Sequence, residues 1–148
     1  MHDFKKQVLS DVKDLYDGPA WHGPNMVQTL DRFAGIDPEK RTGDSHTAVE
    51  ILAHMLTWRK FTIQMLKGND TMEASEEQNF PSVGKADWER LKEDLETSQH
   101  ELVDAIINYP NEDWENKVPT RDYNFAKLVS GCLQHDIYHL GQLILLTK

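Results

Sequence analysis

The chain has 148 residues, the length of one domain (1–148), and can bury about two thirds of the surface that its unfolded form exposes. Its 25 Asp and Glu residues outnumber its 16 Lys and Arg residues, and the net charge of −9 argues against DNA, RNA or an anionic membrane as a partner. The single cysteine, Cys132, cannot form an internal disulfide. Because the sequence has neither a signal peptide nor an apolar run of about 18 residues, we expect a cytoplasmic protein without a membrane span.

Apolar residues at helical spacing predict four long helices, over residues 3–16, 45–66, 86–108 and from Phe125 onward, with a shorter helical piece near residues 26–33. Asp44 or Ser45 is the expected N-cap of the second long helix. Residues 69–84 are polar and aperiodic, which indicates a loop long enough to be functional or mobile. No segment alternates with period two. The fold class is therefore all-α, an up-down four-helix bundle.

The last helix has apolar residues on more than one side. Leu133, Ile137, Leu140 and Ile144 lie about 120 to 180° around the helix from its histidines. One face can fill the core and the other can meet a second subunit, so we expect a homodimer.

Two histidines on this helix, His135 and His139, are four residues apart and lie one above the other on one face. A chain with 7 histidines contains about 0.3 such pairs by chance, so the spacing alone is weak evidence. Cys132 and Leu146 share their stripe, which indicates that both imidazoles point into the core.

A third histidine, His54, lies on the second long helix among Ile51, Trp58 and Phe61, so it also points inward. Two imidazoles from one helix and one from a neighbouring helix make three nitrogen ligands for a divalent metal and leave positions open for water or substrate. Zn²⁺, Ni²⁺ or Fe²⁺ would accept this ligand set, and the ligands do not choose among them.

Three blocks of sequence resemble the DinB/YfiT-like superfamily of metal-dependent enzymes. Residues 135–142 match its closing pattern HDxYHxGQ, and residues 46–59 resemble its helix HSxxE(I/L)LxHxxxW. The stretch 21–24, Trp-His-Gly-Pro, followed by Leu30, is similar to its N-terminal part. The three blocks, in this order and at this spacing, extend over nearly the whole chain.

The resemblance implies a four-helix bundle with a metal held by three histidines, which are His54, His135 and His139 in this sequence. Some members of the superfamily transfer bacillithiol or mycothiol and others are described as hydrolases. The resemblance thus implies a metal and a small-molecule substrate, with a low-molecular-weight thiol as a candidate cofactor. It does not single out one reaction.

Two acidic residues near the histidines have alternative roles. Glu50 is the candidate catalytic residue: it could be a general base, an additional ligand or an acceptor for an imidazole N–H, or it could be a charge at the helix N-terminus. Asp136 could act as a base, as the acid of HExxH proteases does, but a buried carboxylate bonded to a backbone amide or a neighbouring helix is at least as well supported.

Other polar and aromatic residues have less specific signals. Tyr138 and Gln142 could line the pocket mouth or cap a helix contact, and Trp58 is more often core than a substrate platform. Cys132 fits a small buried thiol better than a fourth ligand or a nucleophile. The remaining histidines are expected in the solvent, at a helix start or in a turn: His2, His22, His46 and His100.

Two hypotheses of function follow. In the first, the protein is an enzyme whose open metal site activates a thiol or water for transfer to, or hydrolysis of, a small electrophilic molecule. In the second, it is a non-catalytic, stress-related binding or scaffold protein in which the metal or the histidine cluster only holds the helices together. A third alternative is a buried cluster of neutral histidines without a metal.

Overall fold

A computed structural model describes residues 4–70 and 75–148, and within these ranges the chain is helical, without a strand. The helices are α1 (Phe4–Asp17), α2 (Met26–Asp31), α3 (Ala48–Leu66), α4 (Glu76–Asn79), α5 (Trp88–Asn108) and α6 (Phe125–Leu146). The all-α prediction is confirmed, with α1, α3, α5 and α6 as the long helices. Asp3, the predicted start of the first helix, lies outside the described residues.

Buried apolar side chains form two clusters, and the clusters reveal the helix directions. The first cluster joins the end of α1, the N-terminal halves of α3 and α5 and the C-terminal half of α6. The second joins the start of α1, the C-terminal halves of α3 and α5 and the start of α6. Helices α3 and α5 therefore run in the same direction, and α1 and α6 run opposite to them. In agreement, Lys5 Nζ near the start of α1 donates a hydrogen bond to the carbonyl of Ile107 near the end of α5, at 2.9 Å.

The parallel pair α3 and α5 requires a long connection that crosses back along the bundle. The described part of this connection from residue 75 to residue 87 contains α4 and lies along α3, where the hydroxyl of Thr57 donates to the carbonyl of Gln78 at 2.6 Å. The predicted up-down succession thus holds from α1 to α3 and from α5 to α6, but not from α3 to α5. The polar composition of the connection carried no signal of its direction.

Two local predictions change in the structure. Helix α3 begins at Ala48 rather than near Ser45, because Thr47 is the N-cap: its hydroxyl accepts a hydrogen bond from Glu50 N, and the Glu50 side chain accepts one from Thr47 N. This reciprocal pair is a capping box. A second capping box, between Ser75 and Gln78, starts α4 inside the predicted loop.

The core occupies much of α6. Leu140, predicted on a face available to a second subunit, is fully buried in the first cluster, whereas Ile137 remains exposed. The correction follows from the packing of both α1 and α3 on α6, which covers more than one side of this helix. Among the described residues, none of the helices has the length and apolar character needed to cross a membrane.

Candidate metal centre

Three histidines meet between α3 and α6. Nε2 of His135 lies 2.9 Å from Nε2 of His54 and 3.1 Å from Nε2 of His139. Because α3 and α6 are antiparallel neighbours, one turn of each helix faces the other at this level. The structure therefore brings together all three histidines that the sequence predicts as ligands.

In two of the three rings, a hydrogen bond made by Nδ1 determines that Nε2 is unprotonated. Nδ1 of His54 lies 2.7 Å from the carbonyl oxygen of Asn79, and Nδ1 of His139 lies 2.6 Å from Oε1 of Gln142. Since a carbonyl oxygen only accepts, each Nδ1 carries the proton and donates it, which leaves an unprotonated Nε2 lone pair on each ring. Both lone pairs belong to the atoms that converge on His135.

Burial keeps the three imidazoles neutral. Burial is the main cause that lowers the pKa of His54 and of His139, and it lowers the pKa of His135 from 6.5 to about 4, with help from His139 and His54. Neutral imidazole is the form that binds a metal.

The donor set fits a divalent cation. A proton on His135 Nε2 can be donated to only one of the two neighbouring lone pairs, so the other lone pair stays unsatisfied. Two nitrogens bound to one tetrahedral zinc ion at 2.0–2.1 Å are about 3.3 Å apart, close to the 2.9 and 3.1 Å separations found. The three histidines could therefore hold a divalent metal, which would satisfy all three Nε2 atoms.

Residues of the crossing connection cover His54. The ring of Phe80 stacks between His54 and His46, with centroids 4.0 Å from each. The indole N–H of Trp58 donates to Oδ1 of Asn79 at 2.8 Å, which anchors the residue whose carbonyl orients His54. Asn79 and Phe80 are site residues that the sequence analysis missed.

Asp136 lies in a buried ion pair with α3. Its Oδ2 accepts from Nε of Arg59 at 2.9 Å, and the two side chains are 1% and 0% exposed. The guanidinium also donates to Ser98 Oγ and Gln99 Oε1 of α5. The interpretation of Asp136 as a buried carboxylate bonded to a neighbouring helix is the one that this geometry supports. Arg59 was not predicted as its partner.

Glu50 is engaged at the N-terminus of α3. Its Oε1 accepts from Thr47 N at 2.9 Å and lies 3.3 Å from the guanidinium of Arg41, and its Oε2 lies 3.7 Å from Nδ1 of His46. The hydrogen bond from Thr47 N is the main cause that lowers the pKa of Glu50. The structure thus places Glu50 in the helix-terminal position that the sequence analysis left open, and its predicted catalytic role stays a prediction.

Cys132 is a buried free thiol. Burial, reinforced by the nearby carboxylate of Asp136, raises its pKa to about 12. Since the thiolate is the nucleophilic form, Cys132 is protonated and inert at neutral pH.

The other predicted residues divide between the site and the surface. Gln142 orients His139, as described above, and the exposed ring of Tyr138 lies 5.0 Å from that of His139. Trp58 is half-buried, with its ring centroid 6.3 Å from that of His135. The remaining described histidines do not join the cluster: His22 bonds to the carbonyl of Pro24, His46 stacks on Phe80, and His100 is exposed. His2 lies outside the described residues.

One of three comparisons with known proteins gave a match. The family model of the DinB superfamily matches residues 22–143, a span that includes α2 and the three histidines. A search of curated proteins and a search of solved structures each gave no significant match. On the extent of the family match, the chain belongs to the DinB superfamily.

Proposed function

We propose that the protein is a metal-dependent enzyme in which His54, His135 and His139 hold a divalent zinc, nickel or iron ion. The observation that carries the proposal is the convergence of three neutral Nε2 atoms without a fourth protein ligand among the described residues. Three protein ligands are typical of catalytic sites, whereas structural zinc sites usually have four. An ion held by these residues would supply Lewis acidity, which would lower the pKa of a thiol or water used against a small electrophilic substrate.

The chain's own residues prepare the ligands and the surroundings of the site. Asn79 and Gln142 accept hydrogen bonds from Nδ1 of His54 and of His139. The Nε2 atoms of these two rings therefore face the site unprotonated. The stacked ring of Phe80 shields His54 from water on one side. Exclusion of water strengthens the electrostatic interactions inside the site.

The state of Cys132 limits the reactions. Because the only cysteine of the chain is buried and protonated, a reaction that uses a thiol needs that thiol from a small molecule. We therefore propose two candidate reactions: transfer of a low-molecular-weight thiol to an electrophile, and hydrolysis by water.

Metal analysis of protein prepared without an affinity tag or a nickel column tests the centre. We expect about one divalent metal per chain in the wild type and well under one in His54→Ala. His100→Ala, which removes an exposed imidazole far from the cluster in sequence, is the matched control and should keep its metal. A wild type with little metal, or equal content in His54→Ala, would overturn the proposal.

Removal of the metal by a chelator separates an enzyme from a scaffold. In the proposed enzyme, activity in a screen of thiols and water against electrophiles disappears while most of the thermal stability remains. If the metal only holds the helices together, the melting temperature falls steeply with the metal, because metal binding is then part of the folding free energy.

A homodimer in the cytoplasm is proposed as the working state. Trp21 and Ile137 are exposed and line one groove between α1 and α6, which would be covered by a second copy of the chain. Light scattering at micromolar concentration should give twice the monomer mass for the wild type and a lower mass for Ile137→Glu. A monomeric wild type would contradict the dimer without affecting the metal centre.

A further inference from the structure

A groove of about 340 Å³ lies beside the metal centre, between α3, α6 and the segment that precedes α6. We call it the Trp58 groove; its walls include Trp58, Tyr123, Lys127, Leu128, Gly131 and His135. Its volume is at the small end of the range of ligand pockets, about 300–1,000 Å³. Since His135 belongs both to the groove and to the histidine cluster, a molecule in the groove lies against one of the proposed ligands.

The groove presents mainly apolar surface, and two of its polar groups, on Thr62 and Trp58, have partners elsewhere. The hydroxyl of Thr62 donates to the carbonyl of Trp58 at 2.9 Å, and the indole N–H of Trp58 donates to Asn79. The thiol of Cys132 is buried and neutral. What remains for a ligand is the face of Trp58 together with Leu128 and Tyr123, a surface suited to a ring.

Gly131 leaves space in one wall. A Cβ atom added there would meet no atom within 4 Å apart from its immediate surroundings on the helix. Glycine inside a helix is destabilising relative to alanine, and no neighbouring residue packs closely enough to require its absence of a side chain. The open space in front of Gly131 is part of the groove.

A cation lies at the other end of the groove. Lys127 is exposed in the first turn of α6 and has no hydrogen bond or ion pair from its side chain to another described residue. Lys127 and His135 are eight residues apart on one helix, so their Cα atoms are separated by about 12 Å along its axis. In a chain with 25 acids and 16 bases, an unpaired cation beside an apolar groove is suited to an anionic group of a ligand.

A second cation lies near the same apolar surface. The guanidinium of Arg121 is 5.0 Å from the ring centroid of Phe61, whose ring makes an edge contact with Trp58. Nε of Arg121 is buried and has no hydrogen-bond partner among the described residues. The positive charge of this region is therefore not confined to Lys127.

We propose that the Trp58 groove binds a small anionic substrate with an apolar ring: the ring packs on Trp58, the anionic group pairs with Lys127, and the reacting atom lies at the His135 end. The position of the reacting atom at the His135 end rests on the proposed function, whereas binding of the ring and of the anionic group does not. The groove thus selects aromatic or other ring-containing anions over neutral and cationic compounds of the same shape.

Calorimetric titration with three naphthalene probes tests the class. The probes are 1-naphthalenesulfonate, a poor metal ligand, neutral 1-naphthalenemethanol and cationic 1-naphthylmethylamine, each titrated into metal-loaded and chelator-treated full-length protein. The wild type should bind the sulfonate at least fivefold more tightly than the alcohol, bind the amine most weakly, and do so in both metal states. No measurable binding of the sulfonate at millimolar concentration, or no preference for it, would overturn the proposal.

Variants locate the probe in the groove. Gly131→Phe should fill the open space and weaken sulfonate and alcohol binding by at least tenfold. Gly141→Phe, which adds the same side chain to α6 where a Cβ also meets no atom within 4 Å, is the matched control and should bind as the wild type does. Lys127→Met should bring the sulfonate affinity closer to that of the alcohol, because the charge of Arg121 remains, and should leave alcohol binding unchanged.

Two further measurements separate ligand binding in the Trp58 groove from effects on the metal centre and on folding. The metal content of Gly131→Phe and Lys127→Met should equal that of the wild type, so a loss of probe binding with metal intact concerns the groove alone. Thermal unfolding of both glycine variants checks that each is folded. Equal probe binding by folded Gly131→Phe and wild type would place the ring elsewhere and contradict the groove, whatever the metal analysis gives.

Discussion

Helices α3 and α6 enclose two buried polar clusters that differ in kind. In the ion-pair cluster, Arg59 and Asp136 carry opposite charges, and Ser98 and Gln99 of α5 accept further hydrogen bonds from the guanidinium. In the histidine cluster, three neutral bases face one another. Each cluster contains one buried atom without a hydrogen-bond partner among the described residues, Oδ1 of Asp136 in the first and Nδ1 of His135 in the second.

The difference separates a cluster that contains its own counterion from one that contains none. A buried charge is costly unless it is paired and hydrogen-bonded, and the ion-pair cluster largely meets that condition within the chain. The histidine cluster has lone pairs in excess, and no acidic side chain of the described residues bonds to it, so a cation would complete it. We infer that the ion-pair cluster stabilises the fold and that the histidine cluster binds a ligand. Variants that disrupt one cluster at a time test this difference.

Arg59→Met should produce the largest loss of stability. It leaves the carboxylate of Asp136 buried without its counterion, which costs about 3–5 kcal/mol for a pair of this kind. The double variant Arg59→Met/Asp136→Leu, which removes both charges, should recover most of that loss. Urea denaturation of the two variants and the wild type gives the comparison. A loss as large in the double variant as in the single one would show that packing, not charge, is responsible.

Acid should destabilise the metal-free protein through His135. Burial lowers the pKa of its imidazole from 6.5 to about 4, so the unfolded chain binds a proton below about pH 6.5 that the folded chain binds only near pH 4. The contribution of His135 to the free energy of unfolding is therefore complete above pH 6.5 and decreases as the pH falls from 6.5 to 4. Urea denaturation of chelator-treated protein across this range measures it.

His135→Gln is the control for that pH dependence. Burial raises the pKa of the neighbouring Asp136, which gives a contribution of opposite sign that both proteins share. The wild type should lose more stability than His135→Gln between pH 6.5 and 4. Parallel curves for the two proteins would show that His135 does not resist protonation.

Gln142→Leu should weaken metal binding without removing a ligand. It deletes the acceptor that holds the Nδ1 proton of His139, and loss of such a supporting hydrogen bond typically costs 10–100-fold in metal affinity. Gln142→Glu keeps an acceptor at the same distance and should retain the affinity. Competition with a chromogenic chelator measures both. Equal affinities for all three proteins would exclude an orienting role.

The residues of the site that the sequence predicted share one property: helical spacing determines which way they point. His135 and His139 are one turn apart on α6, and His54 lies on the apolar stripe of α3, so their faces could be assigned before their contacts were known. The resemblance to the family pattern then indicated that the two helices pack against each other. The spacing of one helix cannot supply that pairing.

The residues that escaped prediction depend on the packing of other elements. Arg59 lies about 140° around α3 from His54, but it is fully buried because α5 and α6 both pack on α3. Phe80 reaches His54 only because the connection crosses back along α3, which composition does not reveal. A local signal was available for α4, since Ser75 and Gln78 have the spacing of a capping box.

The smallest expected effect is that of Glu50, which lies close to the histidine cluster in sequence but serves the end of α3. Glu50→Gln keeps the capping interaction with Thr47 and should change stability by less than about 0.5 kcal/mol, whereas Glu50→Ala removes it and should cost about 1 kcal/mol. Neither variant should alter metal content, because the carboxylate is engaged by Thr47, Arg41 and His46 rather than by the cluster. Denaturation and metal analysis check these values. A catalytic base would give the same stability and metal content for Glu50→Gln but a loss of activity by a factor of about 100 or more, whereas the capping role leaves the activity unchanged. Since Gln preserves the cap and removes only the basic oxygen, the activity of this one variant distinguishes the two roles.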